Sequence, residues 1–143
     1  MMDQALTVQD QISIEAPLSK VWEILIAPKY VRQWDELPSD FGDYYLELGR
    51  VIDWSGRSRL TVTAHEPNAL LQLSLYVEKW EQSPAAYDIA YTYRLSEDEN
   101  GVLLQVEIGD FAVLPDGQSY YDASVEFAKT ALEKIKNLAE NRL

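Results

Sequence analysis

At 143 residues the chain has the length of one domain and is large enough to bury a real core, and 47% apolar residues exclude a disordered composition. The absence of cysteine excludes disulfides, thiolate catalysis and cysteine-based zinc sites. A formal net charge of −12 argues against nucleic acid and anionic membrane surfaces as partners, because both are gripped by Lys and Arg.

The opening MMDQALTVQDQ has no basic segment followed by a long apolar run, so no secretory signal is legible there. No uninterrupted apolar run approaches membrane-spanning length. The expected location is cytoplasmic, with no membrane insertion. Leu6 to Glu15 alternates, with Leu6, Val8, Ile12 and Ile14 on one face, and predicts a half-buried strand. The stretch LSKVWEILIAPKYVRQW then changes period. Leu18, Val21 and Leu25 share a helical face, flanked by Trp22 and Ile26. Pro17 suits a first helical turn, and Pro28 ends this helix and starts a second that carries Tyr30, Val31 and Trp34 on one side.

Asp35 to Glu47 reads as an acidic, aromatic loop. Its carboxylates, Asp35, Glu36, Asp40, Asp43 and Glu47, lack calcium-loop spacing and read as solvated. Strands return at Arg50 to Trp54, with a hairpin signal at Ser55-Gly56. Arg59 to Glu66 alternates with Leu60, Val62 and Ala64 inward, and Pro67-Asn68 turns the chain. Further alternation follows in Leu71 to Val77, in Tyr87 to Leu95 and in Val102 to Ile108. The last element recovers a helical period, with a stripe of Tyr121, Val125, Ala128, Leu132, Ile135 and Ala139 widened by Phe127, Ala131 and Leu138. So wide an arc must meet more than one surface. Strands in a run, with helices segregated from them, predict an α+β fold with an antiparallel sheet covered by the terminal helix.

Three stretches carry a family resemblance. IEAPLSKVWEILIAPKYVRQW, VTAHEPNAL and YRLSEDENGVLLQV stand in the order and spacing of the START/Bet v 1-like superfamily, the helix-grip fold, and are most similar to its Hsp90-ATPase-activator-homology branch. Val102 stands where Thr is usual and Ala27 where a helix-capping Asp is usual. The resemblance runs nearly the whole length and implies one domain over 1–143. It implies a curved antiparallel sheet gripping the long C-terminal helix, with two short helices after strand one. It also implies a cavity between sheet and helix, used in such proteins for apolar or amphipathic molecules.

Alternation sets the expected strand registers. It places Leu75 beside Tyr91 and Tyr91 beside Val106; then Leu73, Tyr93 and Leu104; and, on the other side, Val77, Ile89 and Ile108. One step further that register aligns Lys79, Tyr87 and Asp110. This row reads either as a solvated rim, with lysine and aspartate paired, or as polar groups that orient a ligand at a cavity mouth. The mouth is expected at the end of the sheet that holds Ser55-Gly56, Gln82 to Ala85 and Phe111 to Gln118, away from Trp22 and Trp34. Trp34, Trp54, Leu60, Val62, Leu75, Tyr91, Tyr93, Val106, Ile108, Tyr121 and Val125 complete the candidate lining. Trp54 faces inward only if its hairpin turn has three residues. His65 lacks Asp or His partners for a metal and reads as structural or exposed. Without a nucleophile, metal or phosphate-loop motif, no cofactor is expected, and binding ranks above catalysis. The expected partner is a small apolar or amphipathic ligand held by a monomer or homodimer. The rival readings are a cyclase/dehydratase-type enzyme polarising a carbonyl through Lys79, Tyr87 and Asp110, and a co-chaperone-like interaction module.

Overall fold

The alternation of the first segment forms β1 (Val8–Ile14), which lies at one edge of a six-stranded antiparallel sheet. In the computed structural model the described residues are 6–35, 37, 41–42, 44–53, 58–77, 89–99, 101–109, 111–113 and 117–140. After β1 come α1 (Leu18–Ile26), α2 (Pro28–Trp34), β2 (Val51–Asp53), β3 (Ser58–Glu66), β4 (Leu70–Val77), β5 (Ala90–Asp98) and β6 (Gly101–Gly109). A 3-10 turn (Phe111–Val113) leads into α3 (Gly117–Ala139). The strand order β1-β6-β5-β4-β3-β2 pairs the first strand with the last and joins the others hairpin to hairpin. The α+β architecture expected from the alternation is the architecture found.

The two prolines divide the α1–α2 segment. Pro17 is extended and precedes α1, one position earlier than expected, while Pro28 opens α2. Ala27 between the helices is extended, so the axis bends there. At the β3–β4 turn the Ala69 amide donates to the Glu66 carbonyl at 2.9 Å. Pro67 sets the first central position of that turn and Asn68 takes the left-handed second one at φ 63°.

The registers differ from the expected ones by two residues. Leu73 lies opposite Tyr91, Tyr91 opposite Ile108 and Tyr93 opposite Val106. Alternation has period two, so it fixes which face a residue takes but not a shift of two. The turn decides that shift: Asp98 pairs with Gly101 across a two-residue connection. A second departure is a β-bulge between Val62 and Ala64. It reverses the alternation, so Ala64 sits with outward Gln72 and His65 pairs with inward Leu71. His65 therefore faces the core, its ring centroid 5.2 Å from that of Trp22 and its Nε2 buried without a hydrogen-bond partner among the described residues.

In α3 the buried stripe is Ser124, Ala128, Ala131, Leu132, Ile135 and Ala139. Val125, expected on the stripe, is 39% exposed, because Ser124 takes the inward position four residues before Ala128. Small residues let α3 approach closely, and it packs mainly on β1, less on β6, and also against α1 and α2. Its end is tied down by polar contacts. Lys136 Nζ donates to the Ser13 carbonyl at 2.7 Å and pairs with the buried Glu140 carboxylate, which also accepts from the Glu15 amide.

Six strands about 4.8 Å apart span roughly 24 Å, whereas one helix with its side chains is about 10–12 Å across. A helix centred on β1 and β6 therefore leaves β2 to β5 to other cover. Gly101 shows how tightly the covered half is packed. Its φ is 142°, and an added Cβ would stand 2.4 Å from the Ile14 carbonyl oxygen. Gly101→Ala is expected to cost about 2–3 kcal/mol, read as a lower urea midpoint with an unchanged slope.

Candidate functional site

The uncovered half of the sheet holds a cavity of about 410 Å³. Its floor is Leu60 of β3, Leu71, Leu73 and Leu75 of β4, and Tyr91 and Tyr93 of β5. Leu25, Val31 and Trp34 of the two short helices form one wall, Leu46 and Ile52 another, and Phe127 of α3 leans in from the helix. Asp35 and Ser58 add polar atoms at its margin. The volume and the balance of many apolar to few polar groups match small-molecule pockets, which run to roughly 300–1,000 Å³.

Local structure places each ring. The Trp34 indole Nε1 donates to the Ile24 carbonyl at 2.9 Å, which fixes the ring across the α1–α2 bend. Its ring meets Tyr93 edge-on at 5.8 Å between centroids, and Tyr91 meets Phe127 edge-on at the same distance. Asp35 caps α2, its amide donating to the Val31 carbonyl at 2.7 Å, and so follows Trp34 directly into the cavity margin.

Neither the Tyr91 nor the Tyr93 hydroxyl hydrogen-bonds another group among the described residues. Burial pushes the Tyr91 phenol up to about 12, helped by the negative charge of Asp35. Burial, then Asp35 and Tyr91, hold the Tyr93 phenol well above its ordinary value of 10.0. Both are neutral O–H groups across the physiological range. They can donate or accept a hydrogen bond but cannot serve as a base there.

The expected lining is met unevenly by this geometry. Trp34, Leu60, Leu75, Tyr91 and Tyr93 line the cavity. Val62, Val106 and Ile108 are buried in the core beneath or beside it, and Tyr121 packs half-buried against that core. Val125 faces solvent. Trp54, Lys79, Tyr87 and Asp110 lie outside the described residues. The row drawn through the last three rested on a register that both ladders shift by two residues, so its alignment no longer follows. The cavity is not separated from the short helices either, for Trp34 is part of its wall. Asp35, Ser58, Ile52 and Phe127 were not singled out by the sequence. Phe127 was legible as a flank of the helical stripe, and Asp35 as the residue after Trp34.

No group of three or more His, Cys, Asp or Glu that could hold a metal occurs among the described residues. Among them no helix is long and apolar enough to cross a membrane.

The family model described as "Activator of Hsp90 ATPase homolog 1-like protein" matches residues 15–140. No functionally curated protein matches the chain significantly. Among solved structures, a Mesorhizobium loti protein is similar with a TM-score of 0.74 at 23% identity, covering 94% of this chain and 97% of that one. A Cytophaga hutchinsonii protein has a TM-score of 0.69 at 23% identity, covering 99% and 98%. An Aha1 dimer from Colwellia psychrerythraea has a TM-score of 0.69 at 13% identity, covering 95% and 97%. At these identities the likeness is one of fold.

The raised phenols make a stability prediction. Between about pH 10 and about pH 12 the folded chain keeps protons that unfolded tyrosine has lost, so their contribution is complete below the unfolded value and is lost as pH rises through the folded one. Tyr91→Phe combined with Tyr93→Phe is expected to flatten the fall in denaturation midpoint between about pH 10 and about pH 12.

Proposed function

The chain belongs to the Activator of Hsp90 ATPase homolog 1-like family, and from that premise we propose that it binds a small hydrophobic or amphipathic molecule in the cavity over β3 to β5. The observation that carries this reading is the apolar space of about 410 Å³, lined by leucines and aromatic rings that include two neutral phenols. Interiors are normally packed to crystal density. A ligand with an apolar body fills that space and can meet the phenols with one or two polar atoms. The binding role extends to Trp34, Leu60, Leu75, Tyr91 and Tyr93 as direct contacts.

The neutral fluorescent probe N-phenylnaphthylamine tests this. The parent chain is expected to enhance its emission at a single site, and Leu73→Trp, whose indole fills the cavity floor, is expected to weaken binding about tenfold or more. The thermal midpoint should stay within a few degrees. Equal binding by parent and variant would refute the reading.

A second reading has its own observation. Tyr44, Tyr45 and Leu48, on the segment leading into edge strand β2, and Val51 at its start are large apolar residues exposed close together in sequence, with Leu48 67% exposed. Such a cluster suits a protein partner. If it serves one, Leu48→Glu leaves probe binding intact but removes any stimulation of the ATPase of its own organism's Hsp90. Stimulation unaffected by Leu48→Glu would count against this surface.

A further inference from the structure

The wall of the cavity is not of uniform construction. Its described lining residues belong to helices and strands, with two exceptions, Asp35 and Leu46. Asp35 is held to the last turn of α2 by its own amide, which donates to the Val31 carbonyl. Leu46 stands on an irregular strap, residues 44–49, on the way from α2 to β2. Its side chain is buried in the wall, whereas Tyr44, Tyr45, Glu47 and Leu48 on either side of it are exposed. At Leu46 a single thickness of chain therefore separates the cavity from water.

Among the described residues the strap is fastened at few points. The Leu46 amide donates to the Ile26 carbonyl at 3.0 Å, and the Tyr45 phenol donates to the Glu23 carboxylate. Both acceptors lie on α1. At the far end the Gly49 amide donates to the Val62 carbonyl at 2.9 Å, and the Val62 amide donates to the Arg50 carbonyl at the same distance. From that anchored end the flexible Arg50 side chain reaches back to the Tyr45 carbonyl and lies over the Tyr44 ring. Gly49 has φ 87°, and an added Cβ would meet nothing within 4 Å. A glycine so placed can absorb a change of backbone angle. The other walls are held by helical turns and strand ladders, so the strap is the part of the wall that opens at least cost.

We infer that residues 44–49 form the gate of the cavity. In the open state Leu46 leaves the wall, its amide leaves the Ile26 carbonyl and the Tyr45 phenol leaves Glu23, with the backbone change taken up at Gly49. Ligand enters and leaves through that gap. This rests on the cavity being a binding site. One buried side chain and two hydrogen bonds to α1 hold the strap closed, so opening is a local event that leaves the sheet and α1 folded. Tyr45 does not line the cavity, so its bond to Glu23 bears on the gate and not on the ligand.

Two measurements test this. In hydrogen exchange of the ligand-free chain, the Leu46 amide is expected to exchange about a hundredfold or more faster than the amides of the β5–β6 ladder, after correction for intrinsic rates. In stopped flow with N-phenylnaphthylamine, Tyr45→Phe is expected to speed association and dissociation alike by about three- to tenfold. Its Kd should stay within about twofold of the parent's, and exchange at Leu46 should quicken by the same factor as the rates. Glu23→Gln keeps an acceptor for the phenol and should change these rates less than Tyr45→Phe does. A Leu46 amide that exchanges only as slowly as the ladder would overturn the inference. Probe rates unmoved by Tyr45→Phe, or moved in dissociation alone, would overturn it too. If the parent binds the probe at one site and these rates do not respond, only the gate fails. If the parent does not bind the probe, or Leu73→Trp binds it equally well, the cavity reading fails and the gate with it.

Discussion

One helix cannot cover six strands. Much of what is distinctive about this molecule follows from that mismatch of widths. Helix α3 buries its small-residue stripe against β1 and β6, where Ile14, Val102, Leu104 and Ile108 have essentially no exposed surface. The contacts of Lys136 and Glu140 with the end of β1 hold the helix on that side of the sheet. The far strands are covered instead by α1, α2 and the segment that leads to β2. Between that cover and the sheet lies the space lined by Leu73, Leu75 and Tyr91.

The two faces of the sheet divide labour accordingly. The outer face carries polar side chains that satisfy one another: Thr63 donates to Gln72, Gln72 to Thr92, Gln105 to Gln11 and Gln9 to Glu107. These bonds border a polar depression of about 350 Å³ lined by Gln9, Asp10, Gln11, Arg94 and Gln105. The inner face over β4 and β5 is different, since its apolar floor faces a void and its phenols face no partner among the described residues.

Fold class was legible because each signal was long and repeated. Seven to nine residues of alternation mark β1, β3, β5 and β6, and the 23 residues of α3 hold a helical period. Proline placed the α1–α2 bend. What failed was anything needing a count finer than the period. A shift of two residues in β4, β5 and β6 preserves every inward side chain, so hydrophobic pattern could not detect it. The bulge at Thr63 leaves no strong mark in the alternation of LTVTAHE, yet it carried His65 inward and Ala64 outward. In α3 the choice of Val125 over Ser124 followed hydrophobicity, whereas close helix–sheet packing selected the smaller residue. The aromatic part of the site was legible in Trp34, Tyr91 and Tyr93. Its acidic residue was not, because Asp35 reads as the first member of a solvated loop until α2 is seen to end against the cavity.

The central claim is that the space over β3 to β5 is an occupied binding site and not a packing fault. Native mass spectrometry of the protein purified from its own organism without organic solvent tests it most directly. The account predicts a population carrying one non-covalently bound small molecule, released on mild activation and missing from Leu73→Trp purified in the same way. A spectrum of bare chain alone, or an adduct carried equally by Leu73→Trp, would contradict it.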